Sequence, residues 1–240
     1  QGIDDPAATL RFDWTPMGFH AQILSPKGAV YVDPYYGDDD LYASYYKRDA
    51  FKEDASFQCF VQSIAQLPSA RAAAQSITTR SGSQLRTYRL ALAATGEYTA
   101  FWGSVANALA GMTTTINRVT GIYETELSIR LELVANTAEL IYTDAGTDPY
   151  SNDDGGAMLS ENISTVNSRI GSSNYDIGHV FSTGGGGVAY IRSVCNSQKA
   201  GGVTGSSSPT GDSFDVDFVA HEMGHQFGGN HTFNGANGNC

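Results

Sequence analysis

Three of the chain's five histidines fall in the stretch HEMGHQFGGNH, residues 221–231. Side chains four positions apart on a helix share a face, so His221 and His225 can offer imidazole nitrogens to one metal ion. Glu222 projects from the neighbouring edge of that face. A carboxylate there suits a base that takes a proton from metal-bound water, because a zinc ion with an open fourth position lowers the pKa of that water to about 7. Gly228 and Gly229 then stop the helix. Glycine accepts the left-handed backbone of a sharp exit, and the redirected chain can bring His231 to the same ion as a third ligand. Three neutral nitrogens, a water and a base make a hydrolytic centre. From composition alone the full pattern arises in on the order of one in a hundred thousand such chains, so coincidence explains it poorly.

Such a centre needs a rigid frame. TYRLALAAT, from Thr87, has the content of a buried strand. SVANALAGMTTTINRVTGIY places Val105, Leu109, Met112, Ile116 and Val119 at helical spacing, with Gly121 expected at the helix end. ELSIRLELVAN alternates Leu127, Ile129, Leu131 and Leu133 against polar neighbours, the pattern of a strand. A second helix is expected from about Gly156 to Ile170. The preceding Ser151-Asn152-Asp153-Asp154 reads as capping chemistry in preference to a Ca2+ loop. YDIGHVFS is a further strand, in which His179 reads as structural, and the Gly184–Gly187 run is expected to be a loose loop before the strand GVAYI. The helix bearing the histidines is expected to begin around Ser213 to Asp215. Asp215 and Asp217 would favour its positive N-terminus, and Val219, Ala220, Met223 and Phe227 would face the core. Strands alternating with helices predict a mostly parallel α/β sheet.

Before residue 80 the chain changes character. LRFDW, GFHAQILSPKGAVYVDPYY and ASFQCFVQ read as short aromatic-rich strands with turn signals such as Ser25-Pro26-Lys27-Gly28. LPSARAAAQSITTRSGSQLR, from Leu67, has the composition of an exposed linker, with Arg71 and Arg80 as sites for a trypsin-like cut. A net charge of −11 disfavours nucleic acid and anionic membranes as partners, since both attract positive fields. No apolar run approaches the roughly 18 residues that span a bilayer. The sequons at Asn162 and Asn230 read as chance, the second lying inside the histidine motif.

H-E-x-x-H-x-x-G-x-x-H, from His221 to His231, resembles the zinc signature of the metzincin metallopeptidases. LRTYRLALAATGEYTAF from Leu85, GVAYIRSVCNSQKAGGVTG from Gly187 and DVDFVAHEMGH from Asp215 extend the resemblance to the reprolysin (adamalysin-like) branch, above all its secreted bacterial members. That resemblance implies an α/β fold: a twisted, mostly parallel sheet with an antiparallel edge strand and an active-site helix, preceded by a small β-rich segment. It implies His221, His225 and His231 as zinc ligands, Glu222 as general base, and an edge strand, Gly187, Val188, Ala189 and Tyr190, against which an extended peptide or protein substrate pairs. It further implies a Cys195–Cys240 disulfide, the alternatives being two separate thiols or a bond from Cys240 to sequence beyond this chain.

Residues 1–80 would be a pro-segment tail or a small β-rich domain with linker. Residues 81–240 would be the upper part of a catalytic domain that ends before a methionine-containing turn, and Thr232 stands where the animal branch has aspartate. Cys59 has two readings: a small buried apolar residue between aromatics, or a thiolate that reaches the zinc, displaces its water and keeps the enzyme latent. The expected function is a secreted zinc endopeptidase in latent or truncated form. The rival reading is a non-catalytic, zinc-stabilised binding or latency module.

Overall fold

The computed structural model describes residues 2–35, 38–50, 59–62 and 84–231. Two sheets organise them. The first is an antiparallel meander of β1 (Thr9–Thr15), β2 (Gly18–Leu24), β3 (Val30–Tyr35) and β4 (Asp38–Tyr46), in the order β1-β2-β3-β4. The second contains β5 (Cys59–Gln62), β6 (Arg86–Ala94), β7 (Ile129–Leu133), β8 (Ile177–Ser182), β9 (Gly186–Tyr190) and β10 (Gly202–Gly205), in the order β5-β9-β10-β8-β6-β7. Its pairs are parallel except β9 with β10, so the expected mostly parallel sheet with an antiparallel strand near its edge is present.

The strand at the margin is nevertheless not β9. Cys59–Gln62, read from sequence together with the N-terminal strands, crosses to the second sheet and pairs in parallel with β9, Cys59 opposite Gly187 and Gln62 opposite Tyr190. The outer edge of β9 is therefore filled by the chain's own backbone. Gly186 and Gly187, expected in a loose loop, begin that strand.

Helix α1 (Gly96–Trp102), unforeseen from sequence, precedes α2 (Val105–Leu127), and α3 spans Gly155–Arg169. Ser104 caps α2, its hydroxyl accepting from Asn107 N. Gly121 does not end α2, which runs on to Leu127 and stops at Ser128 in the left-handed region, φ 57°. Gly121 is there for clearance: a Cβ on it would overlap Gln22 Oε1 and sit 2.9 Å from Arg11 Cδ, both carried by the first sheet. Leu127, expected to alternate into a strand, is accordingly the exposed last residue of the helix. Ahead of α3, Asp154 Oδ1 accepts from Ala157 N, the capping role rather than a calcium loop. Asn162 is fully buried, donating to Ala200 O and accepting from Tyr150 OH, which leaves no room for a glycan.

One face of the second sheet packs on α2 through Leu90, Leu92, Phe181, Met112, Ile116 and Val219. The other packs on α3 through Ala91, Val180, Val188, Val203, Met158 and Leu159. The chain then enters a π-helical turn, Ser213–Val219, which leads into α4, Ala220–Gln226. Asp215 and Asp217 lie in this turn but serve as ion-pair partners rather than as caps. Asp215 meets Arg118 Nη1 at 2.9 Å and Thr115 Oγ1 at 2.6 Å, and Asp217 meets Lys47 Nζ at 2.7 Å.

Candidate metal centre

Helix α4 is held by polar contacts as well as apolar ones. Val219 and Met223 are buried in the α2-side core, and Tyr123 OH donates to Ala220 O at 2.6 Å. On its far side Gln226 is fully buried, donating from Nε2 to Gly178 O at 2.9 Å and accepting from His179 Nδ1 at 2.8 Å, while His179 Nε2 meets Thr204 Oγ1 at 2.8 Å. Burial lowers the His179 pKa to about 4, so its ring is neutral. His179 thus has the structural part expected of it, with Gln226 and Thr204 as partners that no sequence signal announced.

After Gln226 the chain turns at Gly228, φ 107°, where Gly228 N donates to His225 O and Gly229 N to Gly224 O. The turn returns His231 to the helix as expected. The Nε2 atoms of His221, His225 and His231 lie 3.0–3.2 Å apart. Cys59 Sγ stands 3.3 Å from the Nε2 atoms of both His221 and His225, and the four ligand atoms all fall within 4.8 Å of one another.

The donor chemistry fits a metal ion. His225 Nδ1 approaches Gly229 O at 2.6 Å, and a carbonyl can only accept, so the proton is on Nδ1 and the Nε2 lone pair points into the cluster. Burial lowers the pKa of His221 and His225, favouring the neutral form that ligates. Zinc–nitrogen bonds of 2.0–2.1 Å in a tetrahedron give edges of about 3.3 Å, close to the spacing of these nitrogens. Burial, with the Glu222 carboxylate adding to it, holds the Cys59 thiol well above its ordinary pKa. A bound dication reverses that balance, since a coordinating thiol ionises.

Glu222 is fully buried, and neither carboxylate oxygen has a hydrogen-bond partner. Desolvation raises its pKa to about 8, with the nearby Cys59 thiol, the one group turned toward the carboxylate as a donor though not within full hydrogen-bond geometry, acting in the opposite sense. The space it occupies is provided by β9, because a Cβ on Gly187 would lie 2.5 Å from Glu222 Cγ and Cδ. Gly187→Ala should therefore displace Glu222 or tilt α4, lowering stability by about 1–3 kcal/mol and reducing any activity that uses Glu222. Gly185→Ala is the control, since nothing lies within 4 Å of its Cβ position. Thermal denaturation of the two variants checks this; equal midpoints would contradict the packing described.

Of the other residues singled out from sequence, Val188 and Ala189 are buried in β9 between β5 and β10. Cys195 carries a free, exposed thiol at φ 64°, and its expected partner Cys240 lies outside the described residues, as do Arg71, Arg80 and Thr232. Among the described residues no helix is long and apolar enough to cross a membrane.

Two imidazoles on a helix, a third on the turn after it and a thiol on the neighbouring sheet, together able to hold a metal, mark an α/β protein with a candidate metal centre. The family model described as metallo-peptidase family M12B reprolysin-like matches residues 84–239. The chain belongs to that family of zinc metallopeptidases, a reprolysin-like metzincin. No curated protein matches it.

Proposed function

We propose that this chain is a zinc endopeptidase in a latent form, with His221, His225 and His231 holding the metal, Glu222 acting as general base, and Cys59 closing the fourth coordination position. The observation that carries the reading is the convergence of three Nε2 atoms and one Sγ beside a buried carboxylate with no partner of its own. Bound there, zinc supplies Lewis acidity toward a peptide carbonyl. Glu222 takes the proton from the attacking water and returns it to the departing amine nitrogen. A substrate in extended form is oriented by the backbone of Gly187 to Tyr190, the edge that β5 now fills.

Latency follows from two blocks with one origin. Cys59 puts a thiol where water would sit, and the strand that begins with Cys59 takes the hydrogen-bonding edge of β9. Residues 1–80 are on this reading a pro-segment and residues 81–240 the catalytic part, in a secreted setting that the family resemblance supports.

Substituting Co(II) for zinc tests the ligand set. One equivalent should bind and give a thiolate-to-metal charge-transfer absorption that Cys59→Ser removes while the ion stays bound. Cobalt binding without that absorption would take Cys59 out of the site, and loss of binding in none of the three single His→Ala variants would take the histidines out.

A further inference from the structure

The contacts between the first sheet and the rest of the chain are of an unusual kind. On β1 the aromatic residues point outward, Phe12 61 % and Trp14 79 % exposed, while Arg11 and Asp13 turn inward toward α2. Asp13 accepts from Thr114 at 2.7 Å and from Asn117 at 3.0 Å. Arg118, its side chain 3 % exposed, lies between two carboxylates: Asp33 of β3 on one side and Asp215 of the π-helical turn on the other. Its guanidinium also covers the ring of Tyr31, 4.9 Å from the centroid. Asp33 is further held by His20 Nδ1 at 2.7 Å and Tyr45 OH at 2.8 Å. At the end of β4, Lys47 reaches Asp212 at 3.0 Å and Asp217 at 2.7 Å.

The first sheet thus gives one cation, Lys47, to two acids at the entrance to α4, and one anion, Asp33, to the buried cation of α2. Both ends of the contact are complementary in charge; the Arg118 end is shielded from solvent and little screened by salt, whereas Lys47 and Asp217 are partly exposed and more open to screening. Separating them would leave the buried Arg118 short of a carboxylate and the buried Asp212 without Lys47, in places where an unpaired charge is costly. None of these residues belongs to the metal cluster, and none relies on chain continuity between residues 62 and 84.

We infer that the N-terminal piece is a separable inhibitory subunit: once the chain is cut between residues 62 and 84, the piece carrying β1–β5 stays bound to the remainder through the Asp33–Arg118–Asp215 and Lys47–Asp212/Asp217 contacts, with or without metal. Its partner is the catalytic piece of the same chain, gripped at the turn that leads into α4. Naming the bound piece inhibitory rests on the function proposed above; the association itself does not.

The test uses the full chain with a recognition sequence for a specific protease inserted between residues 71 and 80. After complete cleavage in the presence of a chelator, the two pieces should co-elute in size-exclusion chromatography at micromolar concentration, and raising the salt to 0.5 M should weaken the association without abolishing it, because the Arg118 end stays shielded. Asp33→Asn combined with Lys47→Met, confined to the N-terminal piece, should weaken the association on the order of 100-fold or more. Gly121→Leu approaches the same contact from the other side. It favours the α2 helix while pushing side-chain atoms into Gln22 and Arg11, and it should also release the N-terminal piece. Wild-type pieces that separate once the chain is cut, or a double variant that holds as tightly as wild type, would overturn the inference. Either result leaves the metal and Glu222 assignments standing, because those are read by metal content and turnover.

Discussion

Glu222→Gln is expected to bind zinc as the parent does and to lose peptidase turnover by about 10³-fold, within the range that a positioned general base contributes. The amide fills the same volume under Gly187, where a Cβ would lie 2.5 Å from the Glu222 side chain, so the helix and its imidazoles stay in place. It cannot accept a proton from water. A second effect follows from the same burial. Burial raises the Glu222 pKa of the metal-free chain to about 8, above its value in the unfolded chain, so near neutral pH folding must take up a proton there, a cost that the uncharged amide does not carry. The metal-free Gln variant should therefore resist urea better than the metal-free parent near neutral pH. Activity and stability moving in opposite directions distinguish a catalytic carboxylate from a structural one. Measured with zinc content, kcat/KM and urea midpoints, a variant that still cleaves at the parental rate would refute the base assignment.

Cys59→Ala is expected to raise the activity of the uncut chain toward short peptides by on the order of 10²-fold, because the fourth position opens to water. The gain should be smaller for long substrates, which need the β9 edge that β5 still fills. In the parent, the thiol at Cys59 should resist alkylation while zinc is bound, and after chelation it should react only slowly beside the exposed Cys195 and speed up toward alkaline pH, because burial and Glu222 hold it well above its ordinary pKa. The geometry depends on register. Cys59 faces Gly187 across the strand pair, and a slip of one residue would turn the thiol to the opposite face of the sheet, away from His221 and His225. If Cys59→Ala leaves the uncut chain no more active toward either substrate length, the thiol is not the silencing ligand.

The histidine cluster was legible in the sequence because it is local: helical spacing and two glycines suffice to aim His221, His225 and His231. The strands and helices from Arg86 to Arg169, the short α1 apart, were legible for the same reason, with boundaries off where one residue type has two uses. Gly121 looked like a helix exit, but it grants the first sheet a close approach to α2. Gly187 looked like part of a loose loop, but it clears room for a carboxylate thirty-five positions away in the sequence. Asp215 and Asp217 looked like helix-dipole partners because their real partners, Arg118 and Lys47, are about 100 and 170 residues distant. The inversion of β1 escapes a period-two reading altogether. That pattern locates the two faces but assigns the apolar one to the interior, whereas here the surface awaiting the strand is a polar stripe of α2. Cys59 carried both a core reading and a ligand reading, because only the pairing of β5 with β9 brings its thiol beside His221 and His225.

The Gln226–His179–Thr204 chain fastens α4 to the strands by directional bonds, and direction matters more than strength here. An apolar seam tolerates a few degrees of roll or a fraction of an ångström of slide, since oily surfaces have no preferred azimuth. A carboxamide locked to a ring on one strand and carbonyls beside it permits a single setting. Any natural drift that exchanged Gln226 for a leucine of like size could keep the helix packed and yet let the three imidazoles wander out of focus.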